Sequence, residues 1–172
     1  MASGLLAAHL TSPIAVPAAN GMALTLTSCD ADSAHVLGAQ FAAMLPWSRY
    51  PFSASQLEKY LAAPEPGAPR YAIYAEGTLA GALGLRLNWL RGPYVQFLGV
   101  VQGHQGRGTG RAIMSQVISD ARSNGDSNVW VAASSFNADA LRFYERLGFT
   151  RTALLDGLVQ AGIDEVLLRL RV

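Results

Sequence analysis

The stretch Gln105-Gly106-Arg107-Gly108-Thr109-Gly110 lies between an apolar run that ends at Val100 and a helical pattern that begins near Arg111. A strand that turns through glycines into a helix brings unpaired main-chain N–H groups together, where the helix dipole also favours an anion. Glycine has no Cβ atom, so the chain can adopt positive φ angles and a ligand can approach the main chain closely. The stretch therefore predicts a phosphate-binding loop between a strand and a helix.

The glycine spacing excludes two common phosphate-binding loops. A dinucleotide-binding loop needs glycines at its first, third and sixth positions, and counting from Gly106 the sixth position is Arg111. A triphosphate-binding loop needs a lysine after its last glycine, and in the stretch from Gly103 to Gly108 that place is held by Thr109. What remains is the pattern Gln-x-x-Gly-x-Gly, followed by a basic helix start.

A second pattern lies downstream, at residues 137–149. It contains every fixed position of Asn-x-x-Ala-x-x-Phe-Tyr-x-x-x-Gly-Phe, from Asn137 to Phe149. Asn137 is a good helix N-cap and Gly148 is typical of a helix end, so the segment by itself indicates a capped amphipathic helix before a strand. The two patterns, in this order, resemble the signatures of the GNAT family of N-acetyltransferases.

The resemblance covers residues 22–172 and implies a single acetyltransferase domain of the mixed α/β (α+β) class. Its twisted central sheet is mostly antiparallel, with about seven strands and about four flanking helices. Turn residues at 76–78 and 91–93 also favour antiparallel pairing of the strands beside them. In this fold the strand before the glycine loop and the strand at 129–133 splay apart. Residues 1–21 are rich in Ala and Leu and free of Lys and Arg, and are expected to form a loosely ordered extension.

The family resemblance implies acetyl-CoA as the acyl donor and no metal. The pantetheine arm of the donor would lie in the gap between the splayed strands. It would pair with the main chain of the strand before the glycine loop. The pyrophosphate would lie on the glycine loop, where Arg107 and Arg111 either add attraction or are simply solvated. Asn137 would bond the arm, cap its helix, or do both. The residues implied to bind the cofactor are Leu98, Gly99, Val100, Gln105, Gly106, Arg107, Gly108, Thr109, Gly110, Asn137 and Tyr144.

The implied reaction is transfer of an acetyl group to a primary amine by direct attack of the neutral amine on the thioester. Tyr144 matches the tyrosine of the family motif, which commonly protonates the departing thiolate, and is the predicted catalytic residue. Positioned proton transfer of this kind is typically worth about 10²–10⁴ in rate. The alternative is a tyrosine that only hydrogen-bonds the sulfur or packs the pocket floor.

The proton acceptor is not evident from the sequence. An amine is mostly protonated at neutral pH, so a carboxylate or a water chain must remove a proton. Pro46-Trp47-Ser48 resembles the subgroup that acetylates the N-terminal alanine of a ribosomal protein, in which a glutamate lies on the strand before the Asn motif; here that position is Ala132. The remaining candidates, each expected to be an exposed turn or loop residue, are Glu76, His104, Asp156, Asp164 and Glu165.

Residues 45–69 are expected to determine the acceptor. They contain Trp47, Tyr50, Phe52 and Tyr60, which predict a mostly apolar slot for a small amine or a peptide N-terminus rather than a polycation. Alternatively, these aromatic residues cover the sheet or form a homodimer contact. The absence of an evident base also leaves open a second function, an acyl-CoA-binding sensor or interaction module without turnover, whereas Tyr144 favours the enzyme.

Length and composition agree with a compact enzyme domain. Its 172 residues carry a net charge of +1 with 15% charged residues, which implies neither nucleic acid nor an anionic membrane as a partner. The lone Cys29 excludes an internal disulfide, and no His/Cys cluster predicts a metal site. Since no apolar run approaches the roughly 18 residues of a membrane span, a cytoplasmic location is expected.

Overall fold

The computed structural model describes residues 12–172, which form one sheet with four α-helices and a short 3-10 helix at Trp47–Arg49. The strands are β1 Ile14–Val16, β2 Leu24–Ser28, β3 Arg70–Ala75, β4 Thr78–Arg86, β5 Tyr94–Val100, β6 Asn128–Ser134, β7 Thr150–Gln160 and β8 Ile163–Arg171. The helices are α1 Ala31–Ala42, α2 Ala54–Ala62, α3 Thr109–Ser123 and α4 Ala138–Arg146. In this part of the chain, no helix combines the length and apolar character needed to cross a membrane.

The eight strands follow the order β1-β2-β3-β4-β5-β6-β8-β7. Neighbouring strands are antiparallel throughout, except that β5 and β6 are parallel. The predicted fold class is therefore confirmed: a mixed, mostly antiparallel sheet with four flanking helices.

The additional strand, β1, lies inside the segment expected to be a loosely ordered extension. Val16 is buried and pairs with Leu24, so the expectation is wrong for residues 14–16. The short apolar segment between Pro13 and Pro17 suits an edge strand, because proline is tolerated at a sheet edge. The part of the expected extension at residues 1–11 lies outside the described residues.

Each face of the sheet carries its own core, because successive side chains of a strand point to opposite faces. On β3, Tyr71 and Ile73 pack with α3 and α4, whereas Ala72 between them packs with α1 and α2. Local signals start the helices on the second face. The sequence predicts a cap at Asp30 or Asp32 and a capping box at Ser53 and Gln56. In the structure the Asp30 side chain caps α1, and Ser53 and Gln56 form the capping box of α2.

Two strand ends differ from the sequence pattern. The apolar pattern predicts a strand to Leu90, but β4 ends at Arg86 because Asn88, Leu90 and Arg91 adopt positive φ angles and form a turn. At the other end of the chain, β7 continues to Gln160 rather than stopping near Leu155.

The position of the functional site is determined by the short pairing between β5 and β6. Only two residue pairs, Tyr94 with Trp130 and Val95 with Val131, are in register before the strands diverge. Residues 96–100 therefore leave β5 with an open edge toward β6, while its other edge remains paired with β4 up to Val100. This is the splaying that the family resemblance implies.

A substitution at Gly81 tests how closely β4 and β5 approach. A Cβ atom at Gly81 would lie 2.1 Å from the carbonyl oxygen of Gly99, so Gly81→Ala must push the strands apart. We expect the free energy of unfolding, measured by urea titration, to fall by about 1–3 kcal/mol. Thr78→Ala, at an exposed position of the same strand, is the control and should cost less than about 1 kcal/mol. Equal effects of the two substitutions would contradict this interpretation.

Candidate active site

The glycine loop leads from β5 into α3 as an open cradle of main-chain groups. Gly103, Gly106 and Gly108 have φ angles of 93°, 73° and 86°, and a Cβ atom at any of them would meet nothing within 4 Å. Among the described residues, the N–H groups of Gly106, Gly108 and Gly110 donate to no acceptor. Helix α3 begins directly after Gly108, without a side-chain cap. The loop and the helix start therefore offer free donors to an anion.

Thr109, the first residue of α3, adds a second feature of a ligand site. It is buried, and its Oγ1 is a fully buried atom with no hydrogen-bond partner in the described part of the chain. A buried hydroxyl without a partner is costly, so such groups normally have one. An acceptor oxygen bound in the loop would provide that partner.

Two side chains hold the loop in place from outside the cradle. The Gln105 amide donates to the Val100 carbonyl at 2.9 Å, which ties the loop to the end of β5. The Asn20 amide donates to the Arg107 carbonyl at 3.0 Å, so the segment after β1 also supports the loop. Arg107 and Arg111 are exposed and form no ion pair with a described residue. Their charges are thus available near the loop.

A cavity of about 570 Å³ opens where β5 and β6 diverge. Leu98 of β5 lies in its wall, and next to it Gly99 has no room for a side chain, since a Cβ atom would lie 2.5 Å from the Phe41 ring. The predicted aromatic residues of segment 45–69 all contribute to the wall. The other lining residues include Tyr94, Gln96, Phe97, Ala132, Ser134, Asn137, Tyr144, Leu158, Val159 and Glu165.

The aromatic wall is well packed and is supported by a buried cation. Trp47 stacks on Phe97 with ring centroids 4.6 Å apart, and Tyr60 lies 5.8 Å from the same ring. Behind this wall the Arg70 guanidinium lies 4.1 Å from the centre of the Tyr60 ring and donates to the Gln96 side-chain oxygen at 3.4 Å. Because arginine can only donate, this contact turns the oxygen of the Gln96 amide toward Arg70.

Tyr144 lies on α4 with its ring edge-on to Phe149, at a centroid distance of 5.7 Å. The residue is buried, and its hydroxyl has no hydrogen-bond partner among the described residues. Burial raises the pKa of Tyr144 above its ordinary range, with a smaller contribution from nearby Tyr94. The phenol therefore keeps its proton at neutral pH and can donate it to a group in the cavity.

Asn137 caps α4, as predicted, with its side-chain oxygen accepting from the N–H of Ala140 at 3.2 Å. Asn137 also lines the cavity. Since the cap occupies the oxygen, the amide N–H₂ group remains for a ligand. Capping and ligand binding are thus compatible here.

Glu165 differs from what the sequence suggested. It lies on β8 rather than in a turn, only 7% of its surface is exposed, and it lines the cavity. The expectation of an exposed turn residue is therefore wrong for Glu165. The hydroxyl of Tyr50 donates to its Oε1 atom and is also 2.5 Å from the Ser134 hydroxyl. Burial, and then the bond to Glu165, raise the pKa of Tyr50 to about 12.

The other candidate bases lie elsewhere. Asp156 is exposed, and Asp164 is half-buried and accepts from the N–H of Gly157 at 3.2 Å. Glu76 accepts from the N–H of Ala23 at 2.7 Å, in an exposed turn. Neither these residues nor His104 lines the cavity, and Ala132 contributes only a methyl group.

Ser134 and Tyr94 are among the lining residues that reasoning from the sequence missed. The strand pattern suggested an end at Ala133, whereas β6 includes Ser134, which is directly opposite Glu165 in the register with β8. Tyr94 opens β5 and looked like one more apolar strand residue. No local pattern marks either residue, because their importance comes from neighbours on other strands.

Comparison with known proteins gives consistent results. The model of the acetyltransferase (GNAT) family matches residues 38–149. Streptothricin acetyltransferase of Streptomyces lavendulae is 32% identical over 95 residues, covering 55% of this chain and 50% of that protein. The ribosomal protein bS18-alanine N-acetyltransferase of Escherichia coli (strain K12) is 27% identical over 115 residues, covering 67% of this chain and 72% of that protein. The chain thus spans half the length of the first of these relatives.

A solved structure shares the fold. The crystal structure of a GNAT family acetyltransferase from Elizabethkingia anophelis with acetyl-CoA bound matches with a TM-score of 0.59 and 15% identity, covering 75% of this chain and 92% of that chain. At this identity the likeness concerns the fold alone.

Alkaline pH tests the burial of Tyr50 and Tyr60, two of the four tyrosines that line the cavity. In both, chiefly through burial, the pKa rises from the ordinary value of 10.0 to about 12. Between these values the unfolded chain binds fewer protons than the folded chain, so the free energy of unfolding should fall as the pH rises from about 10 to about 12. Urea titrations across this range should show a shallower fall for the Tyr50→Phe/Tyr60→Phe double variant. Identical slopes for the double variant and the wild type would contradict the prediction.

Proposed function

This chain belongs to the acetyltransferase (GNAT) family, and we propose that it transfers the acetyl group of acetyl-CoA to a primary amine of a small molecule or a peptide N-terminus. The observation that carries the proposal is one cavity, opened by the divergence of β5 and β6, that contains both a free phenol and a buried carboxylate. Tyr144 and Glu165 are these two groups. Acyl transfer from a thioester to an amine that arrives protonated requires a proton acceptor for the ammonium and a proton donor for the thiolate, and both groups lie in this cavity.

The donor side of the site fits acetyl-CoA. The cradle formed by Gly106, Gly108 and Gly110 would hold the pyrophosphate, together with the unpartnered hydroxyl of Thr109. Hydrogen bonds to a charged group are worth about 1.5–3 kcal/mol each. The open edge at residues 96–100 would pair with the amides of the pantetheine arm, as an added strand does. Acetyl-CoA itself supplies an acetyl group activated as a thioester.

Within this proposal, Tyr144 acts as the general acid. The amine nitrogen forms a bond to the acetyl carbon, and the bond from that carbon to sulfur breaks. The ammonium group of the substrate loses two protons in total. It gives the first to a base before attack. After attack it gives the second to Tyr144, which thereby regains the proton that it donated to the thiolate. The high pKa that burial imposes on Tyr144 keeps the proton in place until the thiolate forms.

The acceptor side favours an amine with apolar surroundings. The wall consists largely of aromatic rings, among them Trp47, Phe97 and Tyr60. The two relatives are named for different acceptors, streptothricin in one and an alanine of a ribosomal protein in the other. A small molecule and a peptide N-terminus therefore both remain within the proposed class.

The proposal is tested by thiol release from acetyl-CoA across a panel of small amines, amino acids and peptides, beside calorimetric binding of acetyl-CoA. We expect acetyl-CoA to bind and at least one amine to support release. Binding without release on any acceptor would contradict the enzymatic function and favour an acyl-CoA-binding sensor. Absence of binding would contradict the assignment of the glycine loop and the strand gap to acetyl-CoA.

Tyr144→Phe tests the general acid. The substitution removes the hydroxyl and keeps the ring contact with Phe149, so acetyl-CoA binding should change little. The turnover number should fall about tenfold or more, because positioned proton transfer is lost. Arg146→Gln, at an exposed position of α4 that does not line the cavity, serves as a control and should retain most of the turnover. An unaltered rate in Tyr144→Phe would remove Tyr144 from this role.

Thr109→Val tests the pyrophosphate site. The variant removes a buried hydroxyl that has no hydrogen-bond partner in residues 12–172, so the free energy of unfolding without ligand should not fall. The dissociation constant for CoA should rise about tenfold or more, as expected for a lost hydrogen bond to a charged group. Pantetheine lacks the pyrophosphate, so calorimetry should give the same dissociation constant for pantetheine in Thr109→Val and in the wild type. Thr109→Ser, which keeps a hydroxyl, should keep most of the CoA affinity. Equal losses for CoA and pantetheine would contradict this placement.

A further inference from the structure

Glu165 places a carboxyl group in a cavity that is otherwise lined by uncharged residue types. Among the described residues that line the cavity, it is the one acidic residue, and no arginine, lysine or histidine lies there to balance it. Its surface is only 7% exposed, and it forms no ion pair with a described residue. Burying a carboxylate is costly unless a cation or several donors compensate for the lost water.

The protein supplies one strong donor to Glu165. A phenol has a single proton, and because that of Tyr50 points to Oε1 of Glu165, the oxygen of Tyr50 must accept the proton of the Ser134 hydroxyl. The pKa of Tyr50, raised to about 12, keeps this proton on the phenol at neutral pH. Within the described residues, no hydrogen bond reaches the second carboxylate oxygen, Oε2. The carboxylate is thus anchored through Oε1, while Oε2 is left for a ligand.

Glu165 shares its cavity with the proposed general acid Tyr144 and with Tyr94. Burial and then the negative charge of Glu165 raise the pKa of Tyr94. The positive charge of Arg49 lowers the pKa of Tyr50 and is the smallest of the contributions to it. Asp164 precedes Glu165 on the same strand. All three elements that hold these tyrosines, β5, α4 and the segment before α2, contribute to the same cavity.

We infer that Glu165 is a catalytic residue of this site, whose carboxylate binds the ammonium group of the acceptor and removes one of its protons. The inference rests on the proposed transferase function. One N–H bond breaks with its electron pair left on nitrogen, an O–H bond forms at Oε2 of Glu165, and the proton is released to solvent once the product has left. Tyr50 and Ser134 are positioning residues, which hold Oε1 so that Oε2 faces the acceptor.

This assignment also narrows the acceptor to amines with a single positive charge near apolar or aromatic groups. One carboxylate balances one ammonium, and a second cation in the cavity would be buried without a counter-charge. Benzylamine is therefore a suitable probe, because its ring matches the aromatic wall and its amine is protonated at neutral pH. Benzyl alcohol is its neutral analogue, and O-benzylhydroxylamine is a weakly basic analogue that is already neutral.

A binding experiment tests the ammonium site without requiring turnover. With CoA present, calorimetry should show that the wild type prefers benzylamine to benzyl alcohol, and that Glu165→Gln loses about tenfold or more of this preference. Asp164→Asn is the matched control, since Asp164 precedes Glu165 but does not line the cavity, and it should keep the preference. An unchanged preference in Glu165→Gln would overturn the inference.

A turnover experiment tests the proton transfer. Glu165→Gln should lower kcat/KM for the most active protonated amine of the panel by about 100-fold or more. For O-benzylhydroxylamine, which needs no deprotonation before attack, the loss should stay below about tenfold. A similar loss for both acceptors would indicate a merely structural role for Glu165 and overturn the inference, as would wild-type kcat/KM in the variant.

The two experiments separate this inference from the proposed function. If no amine supports thiol release in the wild type, the transferase function fails, while the binding preference still decides whether Glu165 holds an ammonium. If Glu165→Gln does not fold, Tyr50→Phe replaces it, because loss of the donor to Oε1 should reduce kcat/KM for the protonated amine about tenfold and leave that for O-benzylhydroxylamine nearly unchanged. Equal effects of Tyr50→Phe on both acceptors would overturn the inference.

Discussion

The structure depends above all on the early end of the pairing between β5 and β6. These parallel strands share two residue pairs at Tyr94 and Val95 and then separate, although the opposite edge of β5 remains bonded to β4. An open strand edge inside a domain leaves main-chain donors and acceptors that require partners. Here the open edge offers these main-chain groups to a ligand, because it faces a cavity and leads directly into the glycine loop at the start of α3. The same divergence thus produces both the proposed cofactor gap and the space for an acceptor.

A second constraint is the electrostatics of this cavity. Its aromatic wall would be a poor environment for a charge, yet Glu165 is held there by the hydroxyl of Tyr50. Tyr50 comes from the segment between α1 and α2, which also supplies the aromatic residues of the wall. The segment therefore shapes the acceptor side and fixes the carboxylate at the same time. Tyr144, whose hydroxyl has no partner among the described residues, completes a cavity with one group that keeps its proton and one that accepts a proton in the proposed reaction.

Much of the fold was predictable because its signals are local. Turn residues favoured antiparallel pairing, Asp30 and the Ser53 capping box marked helix starts, and both GNAT patterns occupy contiguous stretches. The prediction failed where local patterns were ambiguous: the apolar run after Arg86 continues in a turn with positive φ angles, and the short strand at Ile14–Val16 is stabilised by its pairing with β2 rather than by its own sequence. Glu165 looked like a residue of an exposed hairpin, because burial on β8 depends on distant neighbours.

The sequence by itself determined the glycine loop and the motif from which the donor side is proposed. The glycine loop and the Asn137 to Phe149 motif specify a strand, a turn and two helix starts through residues that are close along the chain, so spacing alone carries the information. Only the tertiary structure brought together the residues of the proposed acceptor side. The contacts that Tyr50 makes with Ser134 and Glu165 join residues 84 and 115 positions apart. Such contacts arise from sheet order and register, which bring β6 and β8 together beside a loop from the first half of the chain.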